Sequence, residues 1–222
     1  MSDAGTALRE RDVQVARKVN GERVTLLGWG TAILMQFSHP LVAAGVAEHS
    51  TVFSGTRAWI RRFHATIASM LDLTFGEEPE AARAIATINA IHRRVRGTVQ
   101  DDSTALPAGT PYSAQDPVLL CWVHVTLEYA LSRAYELFVG PLTQAEKDQG
   151  CAEAVATMVQ LGVPAQMVPA TLAGVYGCLA EMIASGNLVI STQARVLARD
   201  LLAPPVPAII RPLLIPVRLV AI

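Results

Sequence analysis

AARAIATINAIHRRVRG, residues 81–97, carries a histidine where helical periodicity calls for an aliphatic. Ile85, Ile88, His92 and Val95 recur at i, i+3, i+7 and i+10, the spacing of one stripe on a helix that faces a core. His92 is therefore expected to point inward. Arg93, Arg94 and Arg96 crowd the last turn, where cations suit the negative end of the helix dipole, and Gly97 offers a left-handed residue that stops a helix. An inward imidazole beside guanidinium groups has two readings. It is a core histidine bonded to a neighbouring carbonyl, or it is an axial ligand to haem iron with an arginine placed to meet a propionate.

Upstream, ERVTLLGWGTAILMQFS (22–38) is too long for one buried strand and repeats its apolar positions at helical spacing. Gly28 and Gly30 each cost such a helix roughly 1 kcal/mol relative to alanine, which points to close approach of another backbone or of a flat ligand. His39-Pro40 breaks the chain before a second helix, LVAAGVAEH (41–49). Glu48 and His49 at its end are either a functional carboxylate and imidazole or a solvated helix end. TRAWIRRFHATIASMLDL (56–73) is a further amphipathic helix, on which Arg62 and Thr66 share a face one turn apart. That pair either sets a cation and a hydroxyl over a ligand or is structural, with the threonine bonding back to its own helix. His64 falls between the faces. Gly76-Glu77-Glu78-Pro79 opens the helix of His92.

Downstream, TVQDDSTALPAGTPYS (98–113) is the longest loop, of the kind that serves as a lid or a binding loop. Asp116-Pro117 supplies an N-cap and a first-turn proline for PVLLCWVHVTLEYALSRAYELFV (117–139). His124 and Glu128 stand at i and i+4, so a carboxylate fixes an imidazole tautomer or a buried polar pair satisfies itself. Thr143-Gln144-Ala145-Glu146 is a capping box that starts a helix to about Leu161, and helices near 170–185 and 189–202 follow. No segment alternates with period two. The expectation is an all-α, single helical domain of about seven to nine helices, with residues 1–20 a polar lead-in that includes a short helix, 21–203 the helical domain and 204–222 a Pro-rich apolar C-terminal segment.

Hydrophobic residues at 51% against 17% charged exclude disorder and favour a large apolar interior or pocket. Eighteen basic against nineteen acidic side chains give a net charge of -1, which leaves no field for nucleic acid. Cys121, Cys151 and Cys178 form neither a disulfide framework nor a CxxC pair, and read as core thiols in a reducing compartment. The N-terminus, charged from the start, has no secretory apolar stretch, so a cytoplasmic location is expected. Five prolines and two arginines in residues 204–222 rule out an uninterrupted spanning helix and leave room for peripheral membrane contact. GxSxG, GxGxxG, phosphate-loop and HExxH motifs are absent, as are the paired Glu-x-x-His motifs of a di-iron bundle.

Four stretches taken together, LLGWGTAILMQFSHPLVAAGVAEHS (26–50), R-x-x-x-T from Arg62 to Thr66, IHRRVRG (91–97) and PYSAQDPVLLCWVHVTLEYALSRAY (111–135), resemble the catalytic domain shared by bacterial rubber oxygenases (latex clearing proteins) and mpaB-type oxygenases. The resemblance implies an all-helical fold with a globin-like core, haem b as cofactor, and His92 as its proximal ligand. It implies Arg62 and Thr66 on the distal side, and Glu48 as the candidate for the family's catalytic glutamate. Arg96 and His124 are expected beside the cofactor, and the sixth position is open to His64, His49, water or no ligand at all. The rubber oxygenases carry a lysine directly before the threonine, where this chain has Ala65. The implied reaction is oxygenation, with O2, of a hydrophobic small molecule of isoprenoid or alkene-like character. Two alternatives stand beside it: a non-catalytic haem-binding protein, and a haem-free helical protein that binds lipid or a partner.

Overall fold

Residues 14–49, 56–100 and 106–203 are described by the computed structural model, and among them nine α-helices and one two-stranded hairpin carry the chain. The expected 204–222 segment and the first residues of the lead-in lie outside the described residues. α1 (Gln14–Asn20) is followed by a 3-10 turn at Arg23–Thr25 and by α2 (Leu26–Phe37). Ser38 and His39 break the path, and Pro40 starts α3 (Pro40–His49). α4 (Thr56–Phe75) and α5 (Glu78–His92) form a helical hairpin, in which Glu77 and Glu80 make a capping box with Pro79 in the first turn. β1 (Arg96–Thr98) and β2 (Pro111–Ser113) pair antiparallel, with Gly97 opposite Tyr112. α6 (Pro117–Phe138) is N-capped by Asp116, whose side chain accepts from the Val118 N–H at 2.8 Å. α7 (Gln144–Gln160) opens on the Thr143–Glu146 capping box, α8 (Leu172–Ala184) on Thr171 and α9 (Thr192–Leu202) on Ser191. The fold is all-α in a single domain, with the hairpin as a minor feature.

α6 is apolar nearly all round because other helices cover it on several sides. Trp122 and Val125 pack with Cys151 and Met158 of α7 and with Val175 and Leu179 of α8. Leu131 and Tyr135 pack with Val15 and Val19 of α1 and with Trp29 of α2. A smaller cluster joins α2, α3 and α9 through Phe37, Ala43, Ala194 and Leu197. α2 approaches α6 so closely that a Cβ on Gly28 would sit 2.6 Å from the Ala130 carbonyl oxygen, which settles that glycine as a packing residue. α1 is fixed by α7, since the Glu153 carboxylate accepts from the first backbone N–H groups of Val15 and Ala16 at 3.1 and 2.8 Å.

Three expectations are corrected. The helix of His92 ends at His92, and Val95 and Gly97 leave it. The cause is strand pairing: the Val95 carbonyl accepts from Ala114 N–H at 2.9 Å, and Val99 N–H donates to Thr110 at 2.8 Å. Gly97 is accordingly extended in β1 rather than a left-handed stop, and positive φ falls at Gly109, Gly162 and Gly186 instead. The long loop is a hairpin in part, with residues 101–105 outside the description. The stripe on α5 is half-buried, since only Ala81 and Ala84 of that helix are fully covered while Ile85, Ile88 and His92 are intermediate.

Among the described residues no single helix is long and apolar enough to cross a membrane. Residues Arg23–Phe37 and Pro40–His49 pass that test only as a pair, across a bend of 107°.

Candidate functional site

The last turn of α3 presents Glu48 and His49 side by side at the surface. Neighbouring residues on a helix diverge, yet a third side chain joins these two. Tyr112 of β2 donates its hydroxyl hydrogen to Glu48 Oε2 at 2.6 Å, and its oxygen lies 3.0 Å from His49 Nε2. The tyrosine is buried at 5% exposure in a cluster with Ala44 and Val99. Burial first, and the Glu48 carboxylate second, push its phenol well above the ordinary tyrosine range.

Two glycines make room for it. A Cβ on Gly97 would meet the Tyr112 hydroxyl at 2.7 Å, and one on Gly45 would lie 3.8 Å from the ring and 3.3 Å from Val95. The glycine three residues past Arg94 thus serves a side chain rather than a helix end. Tyr112 lies within the stretch 111–135 that carries the family resemblance, but the sequence assigns it no role; its place opposite Gly97 is a matter of strand register.

His92 closes α5, half-buried, with Arg93, Arg94 and Arg96 exposed around it. Arg96 begins β1 opposite Ser113, so the hairpin that holds Tyr112 starts four residues after His92. Asn89, one turn before His92, donates its side-chain amide to the Gln160 carbonyl at 2.9 Å and ties α5 to the end of α7. Arg62 and Thr66 both fall within α4; Thr66 and His64 are exposed, and the Arg62 side chain is outside the description.

His124 is separate in character. It is buried on α6 at 6% exposure, its Nδ1 is 4.0 Å from Glu128 Oε1, and its Nε2 is enclosed without a hydrogen-bond partner among the described residues. The spacing would suit an ion pair, but burial lowers the imidazole to about 4 and raises the carboxyl to about 7, the latter helped by Glu153. Between those two values both groups are mainly neutral, and no hydrogen bond joins them. A cavity of about 160 Å³ between α2 and α6, lined by Gly28, Thr31, Tyr129 and Arg133 among others, is smaller than a pocket for a drug-sized ligand and includes none of these residues.

The fold and site define an all-helical domain with an imidazole at a helix end and a carboxylate–phenol–imidazole chain beside the strand that follows it. The family model described as "ER-bound oxygenase mpaB/B'/Rubber oxygenase, catalytic domain" matches residues 16–222, and the chain belongs to that family of oxygenases. A search of curated proteins and a search of solved structures each return no match.

Proposed function

We propose that this chain is a haem b-dependent oxygenase that acts with O2 on a hydrophobic, isoprenoid or alkene-like small molecule. The donor set carries the reading. A bare metal ion asks a protein for three or more ligands, whereas haem iron brings four ring nitrogens and asks for one or two. Among the described residues no three His, Cys, Asp or Glu side chains converge, while His92 is a single imidazole flanked by arginines and half-buried isoleucines. That set fits a porphyrin-held iron. His92 would hold it, Arg96 would meet a propionate, His124 would lie in its surroundings, and the bound haem would supply the activation of O2.

The chain's own groups do the rest. Arg62 and Thr66, one turn apart on α4, offer a cation and a hydroxyl donor for negative charge that develops at the reacting centre. Glu48 takes up a proton at Oε1, the oxygen that no described residue occupies. The half-buried isoleucines of α5, Ile85 and Ile88, suit a hydrophobic substrate.

The test is the ultraviolet-visible spectrum of the purified protein beside its His92→Ala variant, with a pyridine haemochrome assay. A Soret band from haem b that is lost in the folded variant is the expected result. No band in the parent after reconstitution with haem would overturn the proposal and turn attention to apolar ligands.

A further inference from the structure

We infer that Tyr112 is a positioning residue: its buried phenol pins the Glu48 carboxylate and selects the tautomer of His49. The base of the proposed oxygenase is thus held by the β-hairpin rather than by its own helix. This inference rests on the proposed function for the meaning of Glu48, but not for the geometry.

Glu48 is exposed on the last turn of α3, and an exposed glutamate samples many rotamers unless something holds it. Tyr112 can hold it because Tyr112 is itself fixed. Its backbone is paired with Gly97, its ring is seated against Gly45 and Gly97, and a methyl group at residue 97 would lie 2.7 Å from its hydroxyl. A phenol has one hydrogen, and the 2.6 Å contact to a carboxylate, which has none to offer, spends it on Glu48 Oε2. His49 Nε2, 3.0 Å from the same oxygen, must then be the donor, so His49 carries its hydrogen on Nε2. The chain of donors runs His49 to Tyr112 to Glu48 and ends at Oε2. Burial and the adjacent carboxylate keep the phenol protonated, so it remains a donor far above neutral pH.

The hairpin also refers this carboxylate to the proposed iron ligand. β1 begins four residues after His92 and pairs with the strand that carries Tyr112. Helix α3 and helix α5 are therefore indexed to one another through two glycines and a tyrosine.

Tyr112→Phe keeps the ring and its packing and removes only the hydroxyl, and Gly97→Ala displaces the hydroxyl without removing it. The experiment records the ¹⁵N pattern of His49 in both variants and the parent, and compares haem-loaded proteins in turnover of squalene as an alkene probe. The parent should show His49 as the Nε2–H tautomer, and both variants should redistribute it. Turnover in both should fall roughly 10- to 100-fold with KM little changed, as for a catalytic group set slightly out of place, and Glu48→Gln combined with Tyr112→Phe should be no worse than Glu48→Gln alone. A His49 pattern that does not differ between parent and Tyr112→Phe overturns the network. A redistributed pattern with unchanged turnover, where Glu48→Gln is inactive, overturns the positioning role. A parent without a Soret band or without turnover removes the underlying reading and with it the meaning of Glu48 as a base, while the His49 pattern by itself still decides the network.

Discussion

The body around α6 and the hairpin of α4 and α5 are both helical, yet they are held in different ways. α6 is enclosed by α1, α2, α7 and α8, with Trp122 and Val125 at 2% and 1% exposure. α5 rests mainly on α4, and one polar attachment to the body runs from Asn89 to the Gln160 carbonyl. α4 is tied through Met70, which packs against the α1–α2–α6 cluster, and through Arg17, which donates to the Thr74 carbonyl at 3.2 Å. Along α5 the residues that face inward by periodicity are half-buried, and Ile91 is exposed. Among the described residues, then, the apolar face of α5 beside His92 is covered less completely than that of α6.

Truncation separates the two regions most strongly. Trp122→Ala removes a large side chain from a site with no solvent contact and should cost about 3–5 kcal/mol, as indole deletions from cores do. Ile88→Ala on the half-buried face of α5 should cost about 1 kcal/mol or less, because less of its area leaves water and its surroundings can close. Denaturant unfolding of the apo protein measures both. Equal costs would show that α5 is as well packed as α6 and would end the distinction.

The next effect lies inside the body and depends on pH. Glu128 titrates at about 7 when folded, against 4.5 for the free side chain, so between those values the folded protein keeps a proton that the unfolded chain has lost. Its contribution to stability therefore falls as pH rises from about 4.5 to 7, and the penalty is complete above. His124 runs the other way: its folded value near 4 lies below the ordinary 6.5, so stability is lost as pH falls through that interval. The two slopes oppose each other over their shared range, and above pH 7 only the carboxylate penalty remains. Glu128→Gln should thus be more stable than the parent at pH 8, on the order of 2 kcal/mol once allowance is made for the 26% of its side chain that still reaches water. The gain should vanish below pH 4.5. A variant that is less stable than the parent at pH 8 would show that the carboxylate is needed charged, as a true partner of His124.

The contrast also explains what could be read from the residues alone. Asp116-Pro117, Gly76 to Pro79 and Thr143 to Glu146 announce helix starts by local signals that need no tertiary partner, and all three start helices here. Helix ends that depend on distant partners were not legible. Gly97 has the composition of a helix stop, but Ala114 takes the Val95 carbonyl from across the hairpin, and the pairing converts the glycine into a seat for Tyr112. Glu48 and His92 stood out by residue type and pattern. The role of Tyr112 did not, because it arises from a register between strands some fifteen residues apart, with Gly97 opposite Tyr112. His124 and Glu128 were placed together by helical spacing, while their 4.0 Å separation and their neutrality follow from burial that spacing does not encode.

The smallest effect concerns two glycines in the body, for which the same substitution should have opposite signs. At Gly28 a new Cβ meets backbone, 2.6 Å from the Ala130 carbonyl oxygen, and neither α2 nor α6 can yield without disturbing the clusters on either side. Gly28→Ala should therefore destabilise by about 1–2 kcal/mol despite the better helix propensity of alanine. At Gly177, on the outer face of α8, a Cβ meets nothing within 4 Å. There the gain in propensity acts alone, and Gly177→Ala should stabilise by up to about 1 kcal/mol. Thermal or denaturant unfolding of the two variants reads the difference. If Gly28→Ala proves neutral, α2 and α6 are free to part, and the tight crossing that sets the body apart from the hairpin is softer than its geometry implies. If Gly177→Ala destabilises, the outer face of α8 is covered by something, and the exposed apolar residues beside it, Tyr176 and Ile183, belong to a contact.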